Sequence, residues 1–261
     1  MERDRPNFFA GPYIERRAEE RENPHWLAAA RADPATRYLL AQGTTQLLQS
    51  GAEPHIALLA NATPVLAELR PLTAVLPADE AGLLAYARAL LVWRARHRRC
   101  GVCGAATAPT HAGHCLVCTN HVCAQEYFPR IDPAVIVLVS DGERALLGRQ
   151  ASWPARRYST IAGFVEPGES LEDAVVREVA EETGVVVTEV RYHSSQPWPF
   201  PSSVMLGFQA CAARDSEVRV GGELEDARWF SREQVHAGEA LTPPTQSISW
   251  RLIATWLKGS G

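Results

Sequence analysis

No stretch of the 261-residue chain reaches the roughly 18 consecutive apolar residues needed to cross a bilayer, so no membrane association is expected. A signal peptide is not expected either, because the opening "MERDRPNFFAG" carries charge where such a leader is apolar. The expected location is the cytoplasm. An excess of positive charge is also missing: 26 Lys+Arg against 30 Asp+Glu leave a formal net charge of -4. That balance argues against bulk electrostatic capture of nucleic acid. The exception is "RARHRRC", Arg94 to Cys100, which reads first as a solvated helix end and second as a source of a few RNA contacts. Internal repeats and low-complexity segments are absent. So is the spread of cysteines typical of a secreted disulfide framework, since Cys100, Cys103, Cys115, Cys118 and Cys123 fall within 24 residues. Clustering of this kind points to a metal. The sixth cysteine, Cys211 in "FQACAA", is expected to be a small buried hydrophobe.

At this length two or three modules are expected. Residues 1–98 form a first block, in which "TRYLLAQGTTQLLQSG" and "PHIALLANATPVLAEL" read as short strands joined by turns, with helix left open by their Leu and Ala content. "ADEAGLLAYARALLVWRARHRR" then places apolar residues at helical spacing after Asp79 and predicts an amphipathic helix leading into the cysteines. This block contains no catalytic pattern and reads as an α+β scaffold or dimerisation domain. The cysteine segment occupies 99–130 and a third block 131–261. There, "PAVIVLVSDGERALLGR" predicts a hairpin at Asp141-Gly142. "YSTIAGF", "VVVTEVRYHSS", "VMLGFQACAA" and "DARWF" predict further strands, and "SISWRLIATWLK" a terminal amphipathic helix. That order suits an α/β fold with a mixed sheet covered by helices.

A C-x2-C knuckle can place two thiolates on one zinc ion, and a second pair completes a tetrahedral, structural site. Cys100 and Cys103 form the first knuckle. The second stays open on spacing alone: Cys115 with Cys118 has the standard separation, Cys118 with Cys123 is also feasible, and His121 is able to replace a sulfur.

The densest chemical signal is "GFVEPGESLEDAVVREVAEETGV", Gly163 to Val185. Ser170 followed by Asp173 predicts a helix start near 171, Gly184 a C-cap, and Leu171, Ala174, Val175 and Val179 a buried stripe. On that helix Glu178, Glu181 and Glu182 stand at i, i+3 and i+4, so three carboxylates share one face. Glu169 is placed to reach back to Arg177. A rigid carboxylate cluster is what a hard divalent cation such as Mg2+ or Mn2+ requires.

The spacing Gly163-x5-Glu169-x7-Arg177-Glu178-Val179-x-Glu181-Glu182-x-Gly184-Val185 resembles the Nudix box at every defined position. The zinc-ribbon cysteines, "YFPRIDPAVI" and the downstream "SQPWPFPSS" further resemble the NADH pyrophosphatases of that family, the NudC-type NAD(H) diphosphatases. The resemblance runs from about residue 80 to the end. It implies a Nudix α/β/α sandwich that cleaves a nucleoside diphosphate linked to another group, here the pyrophosphate of NAD(H), giving nicotinamide mononucleotide and AMP. It also implies removal of an NAD cap from RNA, and a homodimer. By the same resemblance Glu178, Glu182 and Glu223, with the backbone carbonyl of Ala162, hold the divalent metal, and Glu181 is a ligand or the water-activating base. Glu225 is the alternative to Glu223. The implied substrate-binding residues are Phe128, Ser249 and the run Gln196, Pro197, Trp198, Pro199, Phe200, Pro201, Ser202 and Ser203. Counting from "YFPR" makes Cys100, Cys103, Cys118 and Cys123 the implied zinc ligands, with two residues inserted in the second knuckle.

In the proline run, Pro197, Pro199 and Pro201 favour extended geometry for the residues around them, which predicts Trp198 and Phe200 on one face. Two other functions compete with hydrolysis. A ligand-sensing Nudix-like regulator that binds without turnover is able to lose box glutamates, and this chain keeps them all. A nucleic-acid-binding zinc module needs interleaved basic and aromatic residues, which "GVCGAATAPTHAGHCLVC" lacks.

Overall fold

The computed structural model describes residues 37–42, 45–49, 76, 78–213 and 216–259, which fall into two compact units. The first unit comprises the described residues up to Arg130 together with Pro199–Ser202; the second is Ile131–Trp198 with Ser203 onward. The expected strands of "PHIALLANATPVLAEL" lie outside the described residues.

In the first unit β1 (Arg37–Gln42) and β2 (Thr45–Gln49) form an antiparallel hairpin, as the turn signals in that stretch predict. Helix α1 runs Ala78–Arg96. It ends three residues earlier than the quoted pattern, with the His97 amide closing the last turn by a bond shared between the Trp93 and Arg94 carbonyls. Leu90 and Trp93 of α1 pack with Leu116 in a small core. Three short strands follow, β3 (Thr107–Thr110), β4 (Cys115–Cys118) and β5 (Glu126–Tyr127), ordered β3-β4-β5 in one antiparallel sheet. None of the three was visible as a strand in the sequence, since each is too short for alternation to register.

The second unit is built on a six-stranded mixed sheet. Its strands are β6 (Asp132–Ser140), β7 (Arg144–Arg149), β8 (Ile161–Phe164), β9 (Val187–Trp198), β10 (Ser203–Ala212) and β11 (Asp226–Ser231). The order is β11-β7-β6-β10-β9, with β8 also on β6. Only β6 and β10 run parallel. The near-continuous apolar run of β6 follows from burial on both faces. Val135, Val137 and Val139 pack with Ala174, Val175 and Val179 of α2 (Leu171–Thr183), while Ile136 and Leu138 pack on the opposite side. Their partners there are Leu252, Ile253 and Trp256 of α4 (Ile248–Leu257), the later of two C-terminal helices after the short α3 (Arg232–His236). The result is an α/β/α sandwich.

Helix α2 keeps the bounds its caps predict. The Ser170 hydroxyl accepts from Asp173 N at 3.1 Å, and Gly184 takes the left-handed conformation at φ 69° while donating to Ala180 O. The loop after β10 then wraps the end of that helix: Arg219 N donates to Thr183 O and Gly221 N to Glu182 O, at 2.8 and 2.7 Å. Carbonyls that a helix end leaves orphaned are thus satisfied from outside.

Three expectations need correction. "YSTIAGF" becomes strand only from Ile161; Tyr158 instead buries its ring against Phe230 and donates its hydroxyl to Asp226. The proline run is not one extended segment. β9 ends at Trp198, which pairs with Ser203, and Pro199–Ser202 form the turn into β10, with a cis bond between Phe200 and Pro201. Trp198 and Phe200 therefore do not share a strand face. Cys211 is exposed, because alternation along β10 turns Ala210 into the core and its neighbour outward.

Candidate functional site

The carboxylates converge through three separate elements. Glu178 and Glu182 come from the middle and end of α2, β8 supplies Ala162 and Gly163, and the wrapped loop supplies Glu223. Gly163 is required by contact: a Cβ there would lie 1.9 Å from the Glu178 carboxyl carbon. Gly221 is required likewise, since a Cβ would lie 2.2 Å from Glu181 O. The close approach of this loop to α2 brings Glu223 into the same electrostatic neighbourhood as Glu178 and Glu182. Glu225, two residues on, instead forms an ion pair with Arg149.

Arg177 organises the outer half of the cluster. Its Nε and one terminal nitrogen bond both oxygens of Glu169, at 2.5 and 2.9 Å, and the other terminal nitrogen reaches Glu178 at 2.9 Å and Glu181 at 3.0 Å. It also donates to Phe164 O, tying α2 to β8. The guanidinium holds the Glu169 carboxyl down to about 2. The inner half has no such cation. Glu182 is 6% exposed, and no hydrogen bond or ion pair reaches its carboxylate among the described residues. Burial pushes it up to about 7, with the Glu178 and Glu223 charges adding to the rise. Burial also raises Glu178, against the opposing pull of Arg177. Acids forced together in this way fit a divalent cation, which would supply the missing charge.

The cysteines converge too. The sulfurs of Cys100, Cys103, Cys118 and Cys123 all lie within 4.8 Å of one another. Tetrahedral zinc with bonds of about 2.3 Å sets its sulfurs about 3.8 Å apart, so the four fit the ion. Each knuckle turns through a left-handed residue directly after its second cysteine, Gly104 at φ 74° and Ala124 at φ 45°. The two inserted residues of the second knuckle are absorbed before that turn, where Cys123 N and Ala124 N both donate to Asn120 O. Cys115 lies in β4 with its sulfur on Leu116 O, and His121 is exposed outside the cluster.

Sequence reading missed one residue at this centre. The Tyr127 hydroxyl accepts from Gly101 N at 2.8 Å and stands 3.1 Å from Cys100 Sγ. With its lone pair engaged by Gly101, the phenol O–H is free to donate to the sulfur and stabilise its thiolate. Tyr127→Phe is expected to keep the fold and to release zinc to a competing chelator about tenfold faster, the scale of a lost partner behind a ligand. An unchanged release rate would remove Tyr127 from the metal site.

The expected substrate residues are scattered. Phe128 is in the first unit and 64% exposed. Pro199 O accepts from Arg88, whose guanidinium lies 4.9 Å from the Phe200 ring centre. Pro197, Trp198, Pro201 and Ser202 are partly exposed, and Ser203 is buried. Gln196 and Ser249 are buried with their polar atoms engaged inside the second unit.

A NUDIX domain model matches residues 130–253, and an NADH pyrophosphatase zinc ribbon domain model matches residues 95–128. Residues 130–253 belong to the NUDIX family. The chain is 44% identical over 197 residues to the NAD-capped RNA hydrolase NUDT12 of Macaca fascicularis, an alignment spanning 69% of this chain and 42% of that protein. It is also 44% identical over 203 residues to the NAD-capped RNA hydrolase NudC of Mycobacterium bovis, spanning 72% of this chain and 64% of the relative. This chain thus spans less than two thirds of the length of either. A NUDIX hydrolase crystal structure from Nitrosomonas europaea superposes with a TM-score of 0.51 at 20% identity, covering 62% of this chain and 90% of that one. The likeness is one of fold. The NUDIX domain is therefore the second unit, and the zinc ribbon lies in the first. Among the described residues no helix is long and apolar enough to cross a membrane.

Proposed function

We propose that this chain hydrolyses the pyrophosphate of NAD(H) to nicotinamide mononucleotide and AMP, and cuts the same bond where NAD caps the 5' end of RNA. The observation that carries the reading is the buried, unpaired Glu182 carboxylate beside Glu178 and Glu223. It is supported by the names of the two NAD-capped RNA hydrolases that the chain matches. Glu178, Glu182, Glu223 and the Ala162 carbonyl hold Mg2+ or Mn2+ in this scheme. Bound there, the metal offsets the charge of the bridging phosphates and lowers the pKa of a water. Arg177, locked by Glu169, keeps Glu178 against Gly163 and orients Glu181, whose exposed carboxylate serves as ligand or base. Cys100, Cys103, Cys118 and Cys123 hold the structural zinc. Phe128, Ser249 and the residues of the proline run are the substrate-binding residues in this scheme. The working assembly is a cytoplasmic homodimer.

Glu178→Gln is the test. NADH turnover with Mg2+ is expected to fall by about a thousandfold, because a metal ligand acts on the transition state. Near wild-type turnover in the variant would refute the metal assignment. Binding of NAD without turnover by the wild type would favour the sensing regulator. Parallel assays on NADH, NAD and NAD-capped RNA rank the substrates.

A further inference from the structure

Of the acids at the proposed metal centre, Glu223 is held least by its own side chain: it is exposed, and no hydrogen bond or ion pair reaches its carboxylate among the described residues. Its direction therefore depends on how the loop around it is anchored. We infer that Arg149 is a positioning residue for this centre, clamping the end of that loop through Glu225 so that Glu223 stays aimed at Glu178 and Glu182. The inference deepens the proposed function and rests on its metal assignment.

The loop runs between two fixed points, with Glu223 midway between them. At one end Gly221 N donates to Glu182 O at 2.7 Å, at the close of α2. At the other, Glu225 N donates to Arg149 O at 2.9 Å, where Asp226 opens β11 opposite Arg149, the last residue of β7. Between them Leu224 packs over Gly148, where an added Cβ would lie 2.8 Å from a Leu224 methyl carbon. Apolar contact of this kind sets the depth of the loop but has no direction of its own. Direction comes from the polar anchors.

Arg149 supplies the side-chain part of the second anchor. One terminal nitrogen pairs with the Glu225 carboxylate, and the other donates to Trp153 O at 3.0 Å and reaches Pro154 O at 3.5 Å, while its Nε is buried and bonds nothing. The Arg149 side chain is 13% exposed against 48% for Glu225, so the cation is the fixed member and the carboxylate is drawn to it. Backbone carbonyls between β7 and β8 thus orient a guanidinium that in turn orients the Glu223 loop. The next acid offers no substitute, because Asp226 already takes the Tyr158 hydroxyl and the Arg228 guanidinium. Mg2+ takes oxygens only at about 2.0–2.1 Å in near-octahedral geometry, and a loop ordered in advance loses less freedom when it binds. Removing the clamp should therefore weaken metal binding, although removing a cation from beside carboxylates would, by charge alone, strengthen it.

The test is Mn2+ affinity, read from the electron paramagnetic resonance of free Mn2+ over substrate-free, zinc-loaded, full-length protein. Arg149→Met, which keeps much of the side chain's length without its fork, is expected to bind Mn2+ about tenfold more weakly. Glu225→Ala removes the half-exposed partner and is expected to weaken binding about threefold. In a Glu223→Gln background both losses should shrink below about twofold, because the clamp then has no ligand to aim. Metal-free melting temperatures show that each variant folds; should Arg149→Met not fold, Glu225→Ala carries the same comparison. Unchanged or tighter Mn2+ binding by either folded variant would overturn the inference. So would a Glu225→Ala loss that persists undiminished in the Glu223→Gln background, since Glu225 would then act on the metal directly. A wild type that binds no Mn2+ refutes the metal assignment and the inference with it. A wild type that binds Mn2+ but leaves NADH intact refutes the proposed hydrolysis alone.

Discussion

Glu182→Gln is expected to melt at a higher temperature than the wild type at pH 8 with divalent cation withheld and zinc retained, yet to have almost no hydrolytic activity. The sign follows from the direction of the shift. Burial raises the folded carboxyl from 4.5 to about 7, so the fold prefers the protonated acid. For an acid raised in this way stability is greatest below the unfolded value, declines as pH climbs from about 4.5 through about 7, and carries the full penalty above that. A rise of that size corresponds to at most about 3 kcal/mol at pH 8. Glutamine has no charge to bury, so the variant escapes the penalty and its advantage should shrink toward zero at pH 4. Mn2+ should raise the melting temperature of the wild type and leave the variant unmoved. Calorimetry across that pH range with and without Mn2+ checks both parts. A variant less stable than the wild type at pH 8 would mean that Glu182 has a cation partner in the protein itself.

The second large effect concerns zinc. Cys118→Ser is expected to lose bound zinc and to unfold the ribbon, because binding free energy at a structural site is folding free energy. Cys115→Ser should keep about one zinc per chain, four thiolates being enough to close a tetrahedral shell. It should lose only modest stability, since its buried sulfur fills space beside Leu116. Metal analysis of both purified variants, with circular dichroism for the ribbon, decides the matter. Loss of zinc from Cys115→Ser alone would move the ligand set to the other knuckle.

Much of the carboxylate helix was legible because its determinants are local. Ser170 and Gly184 cap it from one residue outside either end, the apolar stripe has helical period, and the three glutamates share a face by spacing alone. The hairpin at Asp141-Gly142 was legible for the same reason: Asp141 bonds the amides of Glu143 and Arg144, and Gly142 takes φ 100°. Alternation within β10 was present in the sequence, but a uniformly small, apolar "ACAA" hides which residue faces out.

By itself, then, the sequence determined that one segment is a capped carboxylate helix and that another gathers thiols. Only the tertiary structure decided which side chains meet. Cys123 rather than Cys115 joins the sulfur cluster because of how β4 and the second knuckle fold. Glu223 rather than Glu225 reaches the buried acids because Gly221 lets the loop touch α2 while Arg149 holds the later glutamate. Gln196 and Ser249 turn inward because α4, far along the chain, presents unpaired groups to them. Local propensity is carried by neighbours in sequence, whereas the satisfaction of a buried charge or an orphan N–H depends on whatever the fold brings alongside.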